Sequence, residues 1–131
     1  MIKIELHQVC INRRGGGFSC RGVPHSPNRT FKMHWGERAR WKKAWEEEVW
    51  FGALSLKSPT KLPAKPKVQV TLYMHELQDR DNAMASLKPI LDGLVKVGLL
   101  KDDSPKYCTI LAPKCIKVDK IKDERVVIKM S

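Results

Sequence analysis

The chain has 131 residues, of which 42% are hydrophobic and 30% charged, values that are ordinary for one globular domain. No run of about 18 apolar residues occurs, so the sequence predicts no membrane-spanning helix. The formal net charge of +11 at pH 7 creates self-repulsion that a polyanionic partner relieves. Nucleic acid is the commonest such partner, and an anionic membrane surface is the next. The composition therefore indicates a nucleic-acid-binding protein with a single domain over residues 1–131.

The N-terminal segment predicts a strand followed by a long basic loop. Residues 2–9 begin with alternating apolar and polar side chains, which is typical of a strand. The same segment lacks the apolar block of a signal peptide, so we expect a cytoplasmic protein. Residues from about 10 to 33 contain Gly15-Gly16-Gly17, Pro24 and Pro27, together with several arginines, and this composition predicts a mobile surface loop.

A long amphipathic helix is predicted from about residue 35 to 54. Trp41, Trp45 and Val49 recur every four residues and mark its buried stripe. Trp35 and Trp50 fall off this stripe. They could stack on nucleobases, or they could make core or subunit contacts, which is the commoner role of tryptophan at helical spacing.

The remaining sequence predicts a second helix and three strands. A proline-rich connector at residues 58–66 cannot be helical. Residues 67–74 alternate with period two and predict a strand. A helix follows at about 82–97, with Gly98 at its C-terminal cap, and then strands at about 107–117 and 125–130, joined by a hairpin bend at 122–124. The order β-α-β-α-β-β predicts a single α/β domain with two main helices on a small mixed sheet.

We expect the four cysteines to be free thiols. They are Cys10, Cys20, Cys108 and Cys115, and they form no C-x-x-C unit, which argues against a zinc knuckle or ribbon. Cys10 and Cys20 could gather a metal together with His25 and His34. Reduced thiols in a reducing compartment are the simpler expectation.

Side chains suited to catalysis concentrate between residues 79 and 103. In a helix that starts at residue 82, positions 7 and 11 residues apart share a face at about 100° per residue, so Asp81, Lys88 and Asp92 line up. Asp79 stands two residues before Asp81 in an extended lead-in, where both side chains point the same way.

A second acidic pair, Asp102-Asp103, follows this predicted helix on a turn that the sheet can fold back over. Clustered carboxylates repel each other, and a fold that gathers them usually supplies a cation. Oxygen ligands suit Mg²⁺ or Mn²⁺. The two acidic pairs therefore favour a divalent-metal site.

Each of these features also has an ordinary structural explanation. Asp-x-Asp-Asn at 79–82 is typical of a helix N-cap, and residues 102–105 are a plain turn signal. Lys88 and Asp92 could be an exposed i,i+4 pair, and Asp92 could instead pair with Lys96. It is their joint occurrence around one helix of a basic protein that favours the metal site.

The whole pattern resembles the signature of the RusA family of Holliday-junction resolvases. The matching residues are Asp79-x-Asp81-Asn82, Lys88-x-x-x-Asp92-Gly93-Leu94, Gly98 and Asp102-Asp103. Residues 24–29 resemble that family's Pro/Ser/Asn loop, and residues 42–45 occupy its first-helix position. Two departures stand out. The spacing from Asp81 to Lys88 is three residues longer than in the best-known form, although it looks familiar among phage-type relatives, and the glycine-rich loop is an extension.

The resemblance implies a homodimer that binds branched DNA, namely four-way junctions, and makes paired symmetric nicks. Asp79, Asp81 and Asp103 would hold Mg²⁺, with Mn²⁺ as a substitute and Asp102 as a further ligand. Lys88 would contact the scissile phosphate. The supporting residues would be Asn82 and Asp92, of which Asp92 would orient Lys88 or a ligand. The candidate DNA contacts are Arg13, Arg14, Asn28, Arg29, Arg38, Lys42 and Lys43.

Two rival functions remain open at this point. The chain could bind branched DNA without cutting it, although binding alone gains nothing from carboxylates that face phosphates. It could instead be a phosphatase that forms an aspartyl-phosphate. That chemistry usually places its first aspartate directly at the end of a buried strand, whereas residues 75–78 intervene here.

Overall fold

A computed structural model of the protein describes residues 1–56 and 62–131. Part of the predicted proline-rich connector, residues 58–61, lies outside the described residues. The elements in chain order are β1 (Ile2–Leu6), β2 (Val9–Asn12), β3 (Phe18–Arg21), α1 (Pro27–Thr30), α2 (Trp35–Leu54), β4 (Lys67–Met74), α3 (Arg80–Ser86), α4 (Lys88–Lys96), β5 (Thr109–Ile110), β6 (Lys114–Lys117), a 3₁₀ turn (Ile121–Asp123) and β7 (Arg125–Met130). None of the helices described combines the length and the apolar character needed to cross a bilayer.

The main sheet is mixed and has β4 and β7 at its centre. β7 runs antiparallel between β1 and β4, while β5 and β6 both lie parallel to β4 along its other edge. A separate two-stranded sheet consists of β2 and β3. The predicted α/β class with a mixed sheet is therefore confirmed.

One face of the main sheet packs under the helices. Alternate residues of β1, namely Ile2, Ile4 and Leu6, are buried, as the period-two pattern requires. On α2 the buried residues are the three of the predicted stripe, and they join the same hydrophobic cluster. Helices α2 and α4 approach closely, since a Cβ added at Gly93 would lie only 3.0 Å from the Val49 side chain. This close contact fixes the position of α4 and of the candidate residues that it carries.

The region predicted as an irregular loop contains regular structure. The first strand ends at Leu6, and residues 9–21 form the β2–β3 hairpin, whose tip is the glycine run with positive φ at Gly15, Gly16 and Gly17. Helix α1 follows within the same region. The hairpin forms because β2 alternates, with Val9 and Ile11 buried in the core cluster.

The expectation of free thiols is wrong for one pair of cysteines. Cys10 and Cys20 face each other across the β2–β3 hairpin and form a disulfide. This bond also removes them from any metal site with His25 and His34. Cys108 and Cys115 are free.

The second predicted helix, residues 82–97, is interrupted at Leu87. Helix α3 ends at Ser86 and α4 begins at Lys88. Pro89 accounts for the break, because it has no N–H to donate to the preceding turn and its ring clashes with the carbonyl four residues earlier. The cap predicted at Gly98 is confirmed. Gly98 has φ +84°, and the N–H of Leu99 donates to the carbonyl of Leu94 at 3.0 Å.

The C-terminal strands differ from the prediction in their pairing. The predicted strand at 107–117 is divided into β5 and β6 by residues 111–113, which include Pro113. β6 and β7 do not form a hairpin, because they lie on opposite sides of β4. The segment between them crosses the end of β4, where the Glu124 carboxylate accepts a hydrogen bond from the His75 N–H at 3.0 Å.

Candidate active site

Lys88, the first residue of α4, connects that helix to the turn that follows it. Its Nζ lies 2.8 Å from Oδ2 of Asp103 and 3.1 Å from Oδ1 of Asp92. The hydrogen bond to Asp103 is the main cause that raises the pKa of Lys88, followed by the one to Asp92. Conversely, Lys88 lowers the pKa of Asp103. Lys88 is therefore a charged ammonium held between two carboxylates, with 64% of its side chain open to solvent.

Asp92 links α4 to α2 as well. Its Oδ2 lies 3.6 Å from Nζ of Lys42, while its Oδ1 faces Lys88. Lys96, the alternative partner from the sequence, pairs instead with Glu46 of α2 at 2.7 Å. Asp92 is thus placed to fix the position of Lys88, which is the supporting role that the family resemblance implies.

Asp79 is the N-cap of α3. Its Oδ1 accepts the N–H of Asn82 at 2.9 Å, and its Oδ2 accepts Nδ2 of Asn82 at 3.1 Å. Asp81 lies in the first helical turn, is exposed, and forms no hydrogen bond or ion pair with a described residue. Asp79 therefore has the structural role of a helix N-cap. Each of its oxygens still has unused acceptor capacity.

The second acidic pair sits in a compact turn after α4. Oδ1 of Asp102 accepts the N–H of Asp103 at 2.8 Å. The Cys108 thiol donates to the carbonyl oxygen of Asp102 at 3.5 Å and to that of Ser104 at 3.7 Å. These contacts orient the turn so that Asp103 faces Lys88, a pairing of residues 15 apart in sequence.

The fit of this site to a divalent metal is partial. Its four carboxylates are solvent-accessible oxygen donors, which is the chemistry that Mg²⁺ and Mn²⁺ require. Among residues 1–56 and 62–131, however, no three His, Cys, Asp or Glu side chains lie close enough together to hold a metal ion. The donor types fit the metal, while the two acidic pairs, 79/81 and 102/103, stand on separate elements.

A cavity of about 270 Å³ adjoins Lys88 and lies between α2, α4 and the segment that leads into α1. Its walls include His25, Trp41 and Trp45, and the ring of His25 packs edge-on against Trp41 with 4.8 Å between centroids. Burial, followed by the charges of nearby arginines, lowers the pKa of His25 to about 3. His25 is the residue that sequence reasoning missed as part of this site. The only available signal was its place in the Pro-His-Ser-Pro segment at 24–27.

The predicted DNA contacts divide into separate groups. Arg38 and Lys42 line the same cavity as Lys88. Arg13 and Arg14 line a different cleft at the hairpin tip. The others are exposed and lie outside both linings: Asn28 and Arg29 on α1, and Lys43 on α2.

Comparison with known proteins gives no match to a protein-family model and no match to a curated protein. Functional inference for this chain therefore depends on the chemistry of the site.

Proposed function

We propose that this chain is a metal-dependent, structure-selective endodeoxyribonuclease of the RusA type, which resolves four-way DNA junctions by paired symmetric nicks. The observation that carries the proposal is the position of Lys88. It is an exposed cation held by Asp103 and Asp92 beside a cavity whose wall also includes Arg38 and Lys42. Such a cation attracts phosphate, and the adjacent carboxylates are placed to take part in chemistry at that phosphate.

The carboxylates are the feature that favours cleavage over binding. In a chain of net charge +11, acidic groups beside a phosphate-binding lysine weaken DNA binding by repulsion. In the proposed function, one of these groups, Asp103, would also be a ligand of a divalent cation. Asp79 and Asp81 would be the other ligands, with Asp102 as a further one. When bound, Mg²⁺ or Mn²⁺ would acidify a water molecule and offset the negative charge that develops on the phosphate.

The roles of the chain's own residues follow from their contacts. Lys88 would donate to a non-bridging oxygen of the scissile phosphate. An incoming phosphate competes with Asp103 for this ammonium, while Asp92 keeps Lys88 near the cavity. Asn82 would position Asp79 through the two hydrogen bonds between them.

The partner and the assembly are part of the same proposal. A four-way junction has approximate two-fold symmetry and must be cut on opposite strands, so a homodimer is the matching assembly. The location that we propose is the cytoplasm. The Cys10–Cys20 disulfide is unusual for that compartment, where we expect it to be partly reduced.

Two observations favour a second candidate, a protein that binds branched DNA without cutting it. Asp79 is already used as a helix cap, and no three acidic groups gather in the described chain. In this alternative, the acidic residues serve only the local structure.

The test is cleavage of a labelled synthetic four-way junction with Mg²⁺, with a linear duplex for comparison. We expect paired nicks on the junction alone, abolished by Asp81→Asn while junction binding persists. Asp119→Asn is the matched control, since Asp119 is also exposed but lies outside the site. Tight binding without cleavage in Mg²⁺ or Mn²⁺ would favour the binding protein. Hydrolysis of a small phosphomonoester without activity on DNA would favour the phosphatase.

A further inference from the structure

A second and larger cleft lies between the tip of the β2–β3 hairpin and the start of α2. Its volume is about 680 Å³, which is within the range of roughly 300–1,000 Å³ that is common for ligand sites. It shares no lining residue with the cavity beside Lys88. Its lining includes Arg13, Arg14, Ser19, Trp35, Glu37 and Arg40.

The aromatic wall of this cleft is Trp35, the first residue of α2. Its side chain is 72% exposed, so it is not one of the core residues of that helix. The neighbouring His34 ring lies 5.4 Å away at an interplanar angle of 35°, and Nδ1 of His34 accepts the N–H of Gly36 at 3.2 Å. The indole therefore projects from an anchored helix start and offers a flat surface for stacking.

The charged wall of the cleft carries more positive than negative groups. The lining contains three arginines, Arg13, Arg14 and Arg40, and one carboxylate, that of Glu37. Within the residues described, none of the three arginines forms an ion pair, and only Arg13 has a side-chain hydrogen bond, from Nε to Ser19 Oγ at 2.8 Å. Guanidinium groups without acidic partners are available to bind phosphate oxygens.

An aromatic face beside several arginines matches one ligand chemistry in particular. Phosphates along a strand contact the cations, while a base stacks on the aromatic ring. In a duplex both faces of each base are covered by its neighbours, so only an unpaired base can stack on a protein side chain. The cleft therefore suits single-stranded DNA better than duplex.

We propose that this cleft binds a short unpaired DNA segment, with one base stacked on Trp35 and the flanking phosphates against Arg13, Arg14 and Arg40. The choice of DNA as the ligand rests on the proposed function, which this site deepens by adding recognition of unpaired nucleotides near a branch point. The Cys10–Cys20 disulfide ties together the two strands that carry the hairpin wall.

The experiment measures binding of the full chain to fluorescein-labelled oligo(dT) by anisotropy in EDTA, with a blunt duplex of equal length for comparison. We expect Trp35→Ala to weaken oligo(dT) binding by about 5- to 150-fold, which is the loss typical of one stacked base. Trp35→Phe should restore most of the affinity, and duplex binding should change little. The matched control is Trp50→Ala, because Trp50 is also exposed and lies on the same helix about 22 Å away.

The arginines are tested by salt dependence. Arg40→Gln should lower the slope of log affinity against log salt for oligo(dT) by about 0.7, the value for one phosphate contact to a single strand. Equal effects of Trp35→Ala and Trp50→Ala, or no preference of the wild type for oligo(dT), would overturn the proposal. The junction-cleavage assay keeps the two proposals apart. Cleavage with unchanged Trp35→Ala binding would refute the cleft alone, whereas stacking without cleavage would refute the nuclease alone.

Discussion

His25 should make the stability of this protein depend on pH in a specific window. Its pKa is lowered from 6.5 to about 3, first by burial and then by the charges of Arg21 and Arg29. In the unfolded chain the imidazole titrates near its ordinary value, so between about pH 6.5 and pH 3 the unfolded state binds the additional proton. The free energy of unfolding should therefore fall as pH decreases below about 6.5, and His25 should have no effect above that value.

The magnitude follows from the distance between the assay pH and the unfolded pKa. About pH 5 lies 1.5 units below 6.5, and each unit corresponds to about 1.36 kcal/mol, which gives about 2 kcal/mol at most. His25 is only half-buried, and solvent screening should reduce this to about 1 kcal/mol. For a domain of this size, that loss corresponds to a decrease in Tm of about 3–6 °C.

The assay is thermal unfolding of the wild type and of His25→Gln at several values between about pH 5 and pH 7.5. The wild type should lose about 1 kcal/mol more than the variant across this interval. His7→Gln is the matched control, because His7 is exposed and lies outside the cavity whose wall includes His25. If wild type and His25→Gln show the same slope, His25 is not held neutral in the folded state and this reasoning is refuted.

Three further perturbations test the packing and the candidate site. Replacing both Cys10 and Cys20 by serine should lower the free energy of unfolding by about 2–3 kcal/mol, because the unfolded chain regains the conformational entropy that a closed loop of this length removes. A reductant should destabilise the wild type but not the double variant. An equal response of both proteins would contradict the disulfide. Gly93→Ala should destabilise the fold by about 1–3 kcal/mol in chemical denaturation, because the new Cβ would press on Val49. An unchanged denaturation midpoint would mean that α2 and α4 can move apart without loss of stability. If the chain cleaves junctions, Asp92→Asn should lower kcat about 10-fold or more, because Lys88 loses one of the two carboxylates that hold it. Junction affinity should not fall, since the same change removes a repelling charge, and a loss of affinity alone would contradict the positioning role.

The longest periodic elements were predicted to within a residue. Helix α2 begins and ends where the sequence predicts, and its buried residues are the predicted stripe of Trp41, Trp45 and Val49. Strand β4 covers the predicted residues 67–74. Both elements are long enough for several repeats of one period, and both bury one face, so local pattern and tertiary packing demand the same structure.

The β2–β3 hairpin could not be predicted because each strand has only four residues. A strand that short gives too few alternations to separate it from a loop, and the glycine run at its tip was interpreted as a sign of mobility. The disulfide depends on the hairpin register that places Cys10 opposite Cys20. Without the hairpin, a spacing of ten residues carries no information about pairing.

The pairing of the C-terminal strands could not be predicted, because it depends on the topology of the sheet. The sequence correctly placed a strand at residues 125–130 but assigned it the wrong neighbour. Neighbouring strands in a sequence usually pair in a hairpin, and that general tendency produced the error. Here the 3₁₀ turn and the contact of Glu124 with the end of β4 send β7 to the other side of that strand.

At the candidate site, the sequence predicted contacts between residues close together in the chain. It could not predict the distance between the two acidic pairs, 79/81 and 102/103. Lys88 and Asp92 contact each other because four residues is one helical turn, and this spacing is visible in the sequence. The contact of Lys88 with Asp103 depends on the turn after α4, which only the fold determines. The presumed alignment of Asp81 with Lys88 required an unbroken helix, and Pro89 was a visible reason to doubt it.

The break at Leu87 has a consequence for how the site would work. Helix α4 is fixed to α2 by the close approach at Gly93 and by the contact of Asp92 with Lys42. Helix α3 begins instead at its own cap, Asp79, and packs against α1. The two acidic pairs are therefore anchored to different parts of the molecule and joined through a proline-interrupted turn. In a continuous helix, the positions of Asp81 and Lys88 would be locked to each other. In the interrupted form, the separation of the acidic pairs is set instead by the packing of α3 against α1 and of α4 against α2.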